Sequence, residues 1–299
     1  MQSLYTELVS ALSPNIHGLA PDFADFCKTA PTELYKISPV KTLSISLTGN
    51  ECEQNCAHCN KHYLKGMQKL TELHNRDLHN YDAVLISGGS SKTGSVPLLA
   101  YLDTILNLPE HLKINLHPGF QPVEPLLPLK TRKPVISFDL PANDEVIKNV
   151  FKLPYKAIDY QNLFISYTEH FTTVPHICIG LNRIANPGEE NTIDFLASQS
   201  VKQTVFIIFR PTPGTELANA SPPEPARVIE LIRYAKKRLS GELLLGCMRP
   251  AGTYRCDIDI LAWLHGIIKI VQPHHKLLNI LKKNGIRIEE RQNCCGLNI

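Results

Sequence analysis

The run Thr42-Leu43-Ser44-Ile45-Ser46-Leu47-Thr48-Gly49-Asn50-Glu51-Cys52-Glu53-Gln54-Asn55-Cys56-Ala57-His58-Cys59 decides the reading of this chain. Its opening stretch, Thr42 to Thr48, is apolar and β-branched and reads as a strand. A loop with C-x3-C-x2-C spacing follows at once. Three thiolates in so short a loop can ligate three irons of a [4Fe–4S] cube and leave the fourth open to a chelating small molecule. Zinc competes, because Cys56-x2-Cys59 with His58 or His62 supplies thiolate and imidazole ligands. No second ligand pair at zinc-site spacing follows within the next hundred residues, which disfavours zinc. A purely structural cluster stays open.

The 299 residues can bury one large core, and a single α/β barrel needs about 250. Hydrophobic content of 43% and charged content of 20% are ordinary for a globular protein. A net charge of +3 without a basic run gives no support for nucleic-acid binding. No apolar segment reaches the length of a membrane span, and no basic and apolar leader follows Met1. Nine cysteines in such a chain point to a reducing, cytoplasmic compartment where thiols serve metals rather than disulfides.

Strand-like runs alternate with helical patterns. The strands are expected at Leu43–Leu47, Ala83–Ser87, Lys113–Leu116, Val135–Phe138, His176–Gly180, Thr204–Phe209, Leu243–Cys247 and Ile267–Val271. Helical stretches are expected at Gln2–Leu12, Val96–Asn107, Asn143–Val150, Glu190–Ser198, Pro225–Leu239, Asp257–Leu264 and Lys276–Lys283. The pattern predicts an α/β fold of parallel βα units, either a closed (β/α)8 TIM-type barrel or a partial six-stranded one, of which we expect the former. An N-terminal extension (1–40), a barrel (41–272) and a C-terminal helix with a cysteine-bearing tail (273–299) are the expected parts.

The cysteine loop resembles that of the radical S-adenosylmethionine (SAM) superfamily. There the amino and carboxylate groups of SAM bind the open iron, and reductive cleavage yields a 5′-deoxyadenosyl radical. The residue before the last cysteine is commonly aromatic in that family and is His58 here. Active sites of such barrels lie at the carboxyl ends of the strands. The second strand runs into Ser87-Gly88-Gly89-Ser90, which resembles the family's Gly-Gly-Glu contact to the SAM ammonium, with Ser90 in the acidic position. A tight loop is the plainer reading. Asp139 ends the fourth strand, where the resemblance implies hydrogen bonds to ribose; a helix-capping role competes equally.

His176 and Cys178 lie two apart on one face of their strand. His176 is a candidate cofactor contact, with core packing as the alternative for both residues. Arg210, leaving the sixth strand, can pair with a carboxylate, including that of SAM. The seventh strand brings Cys247 and Arg249 to the barrel mouth, where a neighbouring positive charge would stabilise a thiolate. We take both as candidate catalytic residues, and Cys247 as a candidate ligand too.

Six cysteines remain beyond the loop: Cys27, Cys178, Cys247, Cys256, Cys294 and Cys295. If the tail folds back over the barrel mouth, Cys247, Cys294 and Cys295 become candidate ligands of an auxiliary [4Fe–4S] cluster. Cys27 and Cys178 compete for a fourth place, and Cys256 reads as structural. A vicinal disulfide or two idle thiols is the alternative for the tail pair.

From residue 40 onward the chain resembles biotin synthase-like radical SAM proteins, and most of all one subunit of the two-protein lipoyl synthase. The resemblance rests on Leu47-Thr48-Gly49, Cys56-Ala57-His58-Cys59, Tyr63-Leu64-x-Gly66-Met67, Gly246-Cys247-Met248-Arg249-Pro250 and Cys294-Cys295. It implies a sulfur-inserting enzyme that thiolates an octanoyl chain on a lipoyl carrier protein or domain, the auxiliary cluster supplying the sulfur. It also implies a homologous radical SAM partner protein and an electron donor such as ferredoxin or flavodoxin. A radical SAM methylase or lyase that inserts no sulfur is the competing enzyme, and a non-catalytic iron–sulfur or zinc protein the third reading.

Overall fold

The structure is a computed structural model and describes residues 1–75, 78–181 and 188–297. In chain order its elements are α1 (Gln2–Ser10), α2 (Phe23–Thr29), β1 (Glu33–Ile37), β2 (Thr42–Ser46), β3 (Gln68–Lys69), β4 (Ala83–Ser87), α3 (Leu102–Leu106) and β5 (Lys113–Leu116). There follow β6 (Val135–Asp139), α4 (Ala157–His170), β7 (Thr172–Ile179), α5 (Glu189–Ala197), β8 (Gln203–Ile208), α6 (Pro225–Arg238) and β9 (Glu242–Leu245). The last are α7 (Gly252–Leu264), β10 (Lys269–Val271), α8 (His275–Lys283) and β11 (Arg287–Arg291). The strands form one sheet in the order β11-β1-β10-β9-β8-β7-β6-β5-β4-β2-β3, and every pairing is parallel.

The connection between β1 and β2 forces this sheet to curl. The two strands stand eight places apart in the order, which in a flat sheet is about 38 Å at about 4.8 Å per step. Only residues 38–41 join them, and five Cα-to-Cα steps span at most about 19 Å. The sheet therefore rolls its two arms toward each other as a half-barrel. The expected parallel α/β architecture is present, with eleven strands in the sheet rather than eight. All eight expected strands are there. The additions are β1, the two-residue β3 and the charged edge strand β11, so residues on either side of the expected 41–272 barrel join the sheet.

Alternation along the strands separates two apolar layers. Facing outward, Phe206 and Ile208 join the large core beneath the helices, which includes Leu34, Ile136, Phe164, Leu231 and Trp263. Facing inward, Ile37, Val174, Val205, Leu244 and Val271 form a ring of mostly β-branched side chains. Such residues pack well on a pleated surface and suit strands buried on both faces. The helical expectation at Val96–Asn107 contracts to α3 and the preceding turn, because Pro97 and Pro109 bound it. The helical expectation at Asn143–Val150 is met by a short π-helix, Val146–Val150, and α4 is a helix the sequence pattern does not announce. Among the described residues no helix is long and apolar enough to cross a membrane.

Candidate functional site

The three-cysteine loop leaves the carboxyl end of β2 and is fastened to the loops after three other strands. After β4, the Ser90 backbone N–H points at Cys52 Sγ at 3.3 Å, while the Ser90 carbonyl accepts the Glu53 N–H at 2.9 Å. After β6, the Val150 carbonyl accepts the Ala57 N–H at 2.8 Å, and the Gln54 side chain donates to the Phe151 carbonyl at 2.8 Å. After β8, the Leu217 N–H donates to the Ala57 carbonyl at 3.0 Å, and Asn60 Nδ2 to the Gly214 carbonyl at 3.1 Å. The motif around Tyr63 adds a Tyr63–Thr212 hydroxyl bond of 2.8 Å.

Gly89 explains the need for a glycine pair. A Cβ there would stand 1.8 Å from the Glu51 carbonyl oxygen and 2.6 Å from Cys52 Cα. Its N–H donates to Thr48 Oγ1 at 2.7 Å. Gly88 meets nothing closer than 3.4 Å, and Ser87 passes its carbonyl to the Leu47 N–H at 2.8 Å. Where the resemblance expects an acidic side chain at position 90, the Ser90 backbone makes the contacts just described.

The donor set fits an iron–sulfur cluster. Burial pushes the Cys56 thiol up to about 12, and the neighbouring Cys59 and Cys52 thiols push the same way. Burial also raises Cys59, but the backbone N–H groups of Tyr63, Lys61 and His62 oppose it. These N–H groups face one sulfur because Asn60 (φ 39°) and Lys61 (φ 55°) are left-handed, the conformation that makes an anion-binding nest. N–H donors to cluster sulfurs tune reduction potential. His58 packs its ring 5.6 Å from Phe151, and its buried Nδ1 has no partner among the described residues. Desolvation holds its pKa down at about 4, so the ring is neutral. No three His, Cys, Asp or Glu side chains among the described residues converge on one metal-ion position. A cube spreads its thiolates over separate irons and does not need that convergence.

Asp139 ends β6 and is reached by solvent, yet protein surrounds it, as expected for a group lining a deep cavity. Burial raises its pKa to about 6. Its charge acts on Tyr160, as does that of Cys56, which places Asp139 on the cysteine-loop side of the lumen. Cys178 shares this environment, and burial followed by the Asp139 and Glu189 charges raises its thiol pKa. Arg210 stands with its guanidinium carbon 5.9 Å from the Tyr63 ring centroid, beside the same loop.

The tail takes a different place from the one expected. It does not lie over the mouth but enters the lumen, crossing the inner faces of several strands. The Cys294 N–H donates to Thr42 Oγ1 at 3.0 Å, and Asn115 Nδ2 reaches Cys294 Sγ at 3.2 Å. Gln203 Nε2 donates to the Cys295 carbonyl at 3.0 Å. Gly296 sits so close to β5 and β6 that a Cβ would be 2.7 Å from Ser137 Oγ and 2.8 Å from Asn115 Nδ2. Cys295 joins the inner aliphatic ring and lies 3.6 Å from His176 Nε2. His176 Nδ1 donates to the Val174 carbonyl at 3.1 Å, so its Nε2 is left to accept the Cys295 S–H. Desolvation lowers His176 to about 4 and His117, 5.7 Å away, to about 3.

Cys247 lies within electrostatic reach of both tail thiols. Burial raises Cys294 and Cys295, and the Cys247 charge raises both further. Cys247 is open to solvent yet ringed by protein, which raises its thiol, while Arg249 and Arg255 lower it. Arg249 is turned into the protein rather than toward a substrate. It is fully buried, with Nε 2.7 Å from Asp259 Oδ1, Nη2 3.0 Å from Asp259 Oδ2, and further bonds to the Gly246 and Val271 carbonyls. Its place corrects the catalytic expectation to a positioning one: it ties the Cys247 loop to α7 and β10. Cys27 is exposed on α2, which packs on α1, away from the lumen. Asn115, Gln203 and Gln54 escaped the sequence reading because isolated amides in strands or loops carry no motif.

No protein-family model matches the chain, and no curated protein matches it in sequence. Among solved structures it is similar to methylornithine synthase (PylB), at 11% identity and a TM-score of 0.59, over 97% of this chain and 98% of that one. A weaker likeness links it to the radical SAM methyltransferase TsrM from Kitasatospora setae with tryptophan and a SAM analogue bound. There the identity is 12% and the TM-score 0.48, over 82% of this chain and 63% of that one. At such identities a likeness speaks for fold alone: the chain has the curled parallel α/β fold of methylornithine synthase, with a three-cysteine loop at the carboxyl end of the sheet.

Proposed function

We propose that the protein is a radical SAM enzyme that inserts sulfur, one half of a two-protein lipoyl synthase. With a [4Fe–4S] cluster on Cys52, Cys56 and Cys59 and SAM on its open iron, the chemistry supplied is hydrogen-atom abstraction from unactivated carbon. The chain's own residues position that chemistry. Gly88 and Gly89 let the backbone approach SAM, the Asp139 carboxylate can receive ribose hydroxyls, and Arg210 can pair with a carboxylate. The inner aliphatic ring excludes water around the reacting carbon.

The observation that carries sulfur insertion is that Cys247 lies within electrostatic reach of Cys294 and Cys295, the two thiols of the tail that enters the lumen. Cys247, in the loop after β9 and open to solvent, acts electrostatically on two thiols of a tail more than forty residues later, which supports an auxiliary [4Fe–4S] cluster as sulfur donor. Cys178 is the lumenal candidate for a further ligand, and His176 faces Cys295. The reading requires an octanoylated lipoyl carrier protein or domain, a homologous radical SAM partner protein and an electron donor such as ferredoxin or flavodoxin, in a cytoplasmic setting.

A second reading keeps the first cluster and SAM but inserts no sulfur, as a methylase or lyase of cofactor biosynthesis. The fold shared with methylornithine synthase favours it equally. Cys295→Ala separates the two. Sulfur insertion predicts loss of thiolated product with 5′-deoxyadenosine release retained. Unchanged product formation would give the second reading first place.

A further inference from the structure

At the opposite end of the sheet from the cysteine loop, the lumen closes on charged side chains beside Ile37 of the inner ring. Lys113, Glu242 and Lys269 are the first residues of β5, β9 and β10. With Tyr35 and Arg291 they line a cavity of about 340 Å³. Its roof is the tail itself, at Asn293 and Leu297. Cys294 and Cys295 lie between those two residues.

Three cations and one carboxylate line this space. Glu242 bonds Lys269, and Arg291 pairs with Glu289 while its guanidinium carbon stands 5.1 Å from the Tyr35 ring centroid. Lys113 has no hydrogen-bond or ion-pair partner for its ammonium among the described residues. An uncompensated positive field in a recess concentrates small anions, and the volume lies at the low end for ligand pockets.

We infer that this cavity is a rear port for small inorganic anions, giving access to the tail thiols from the amino ends of the strands. The port stands on the cavity and its charges. Its further assignment to hydrosulfide rests on the proposed function, because a cluster that gives up sulfur must be rebuilt, and the rear route leaves the SAM side undisturbed.

The test compares iodoacetate with its neutral counterpart iodoacetamide on the full-length chain after chelation of its metal. Alkylation of the tail peptide is followed by mass spectrometry. Lys113→Gln should slow carboxymethylation of Cys295 by about fivefold while leaving its reaction with iodoacetamide unchanged, and Lys113→Arg should restore the wild-type ratio. An unchanged ratio in Lys113→Gln, or no labelling of the tail by either reagent, overturns the port. The result does not depend on the tail's ever holding iron. The hydrosulfide assignment is tested separately by the rate at which iron and sulfide reload the chain. Lys113→Gln should reload more slowly to the same final content, and an unchanged rate overturns the assignment.

Discussion

Gly89 and Cys52 are in backbone contact: a methyl group on Gly89 would stand 2.6 Å from Cys52 Cα and 2.7 Å from its Cβ. Neither atom belongs to a flexible side-chain end, so the cysteine loop itself would have to move. Gly89→Ala is expected to lower iron content at the first cluster and to abolish 5′-deoxyadenosine release, at a cost of about 1–3 kcal/mol in folding stability. Gly88→Ala, which meets nothing closer than 3.4 Å, should keep its iron. Iron assay on the two variants checks the contrast.

Arg249 and Asp259 form a buried, two-pronged ion pair. Removing one partner leaves an uncompensated charge, so Asp259→Ala should destabilise by about 3–5 kcal/mol. Replacing both with apolar residues of similar volume should recover most of that loss. Denaturant unfolding of the single and double variants measures it. If Asp259→Ala unfolds like wild type, the pair does not hold the Cys247 loop.

The raised pKa of Asp139 gives a pH dependence. Its carboxyl titrates at about 6 in the folded chain and at 3.8 ordinarily, so between these values the folded state holds the proton that the unfolded state loses. Asp139 therefore favours folding fully below about pH 4, and that contribution falls away as pH rises through 6. Asp139→Asn should be more stable than wild type at pH 7.5, by about 1 kcal/mol because solvent reaches the group. At pH 3.5 the two should be equal. Thermal unfolding at the two pH values decides, and a gain that is the same at both would contradict the burial effect.

Gly296 packs against Ser137 and Asn115 with no room for a side chain. Gly296→Val should push the tail off β5 and β6 and lose the iron assigned to Cys247, Cys294 and Cys295, while 5′-deoxyadenosine release persists. Thiolated product should disappear. Retention of all iron would show that the tail does not hold a cluster.

The core strands were legible because their residues are apolar and β-branched over four to six positions between turns, as in Ala83–Ser87 and Val135–Asp139. β11 was not, because Arg-Ile-Glu-Glu-Arg is an edge strand whose charges face solvent and blur its alternation. β3 is too short to carry a pattern. In the site, the spacing of Cys52, Cys56 and Cys59 is a local signal and survives without any structure. Arg249 misled because its partner Asp259 lies on the following helix, and sequence cannot say which way a guanidinium turns. The tail misled in the same way: Cys294 and Cys295 are held by Asn115 and Gln203, single amides on distant strands that only the curl of the sheet brings together.

Iron and acid-labile sulfide content of anaerobically reconstituted protein distinguishes two clusters from one. Two independent cubes predict about eight irons in the wild type and about four when Cys52, Cys56 and Cys59 are all changed to Ala. About four irons falling to near zero would rule out the second cube, leaving one cluster and no resident sulfur donor.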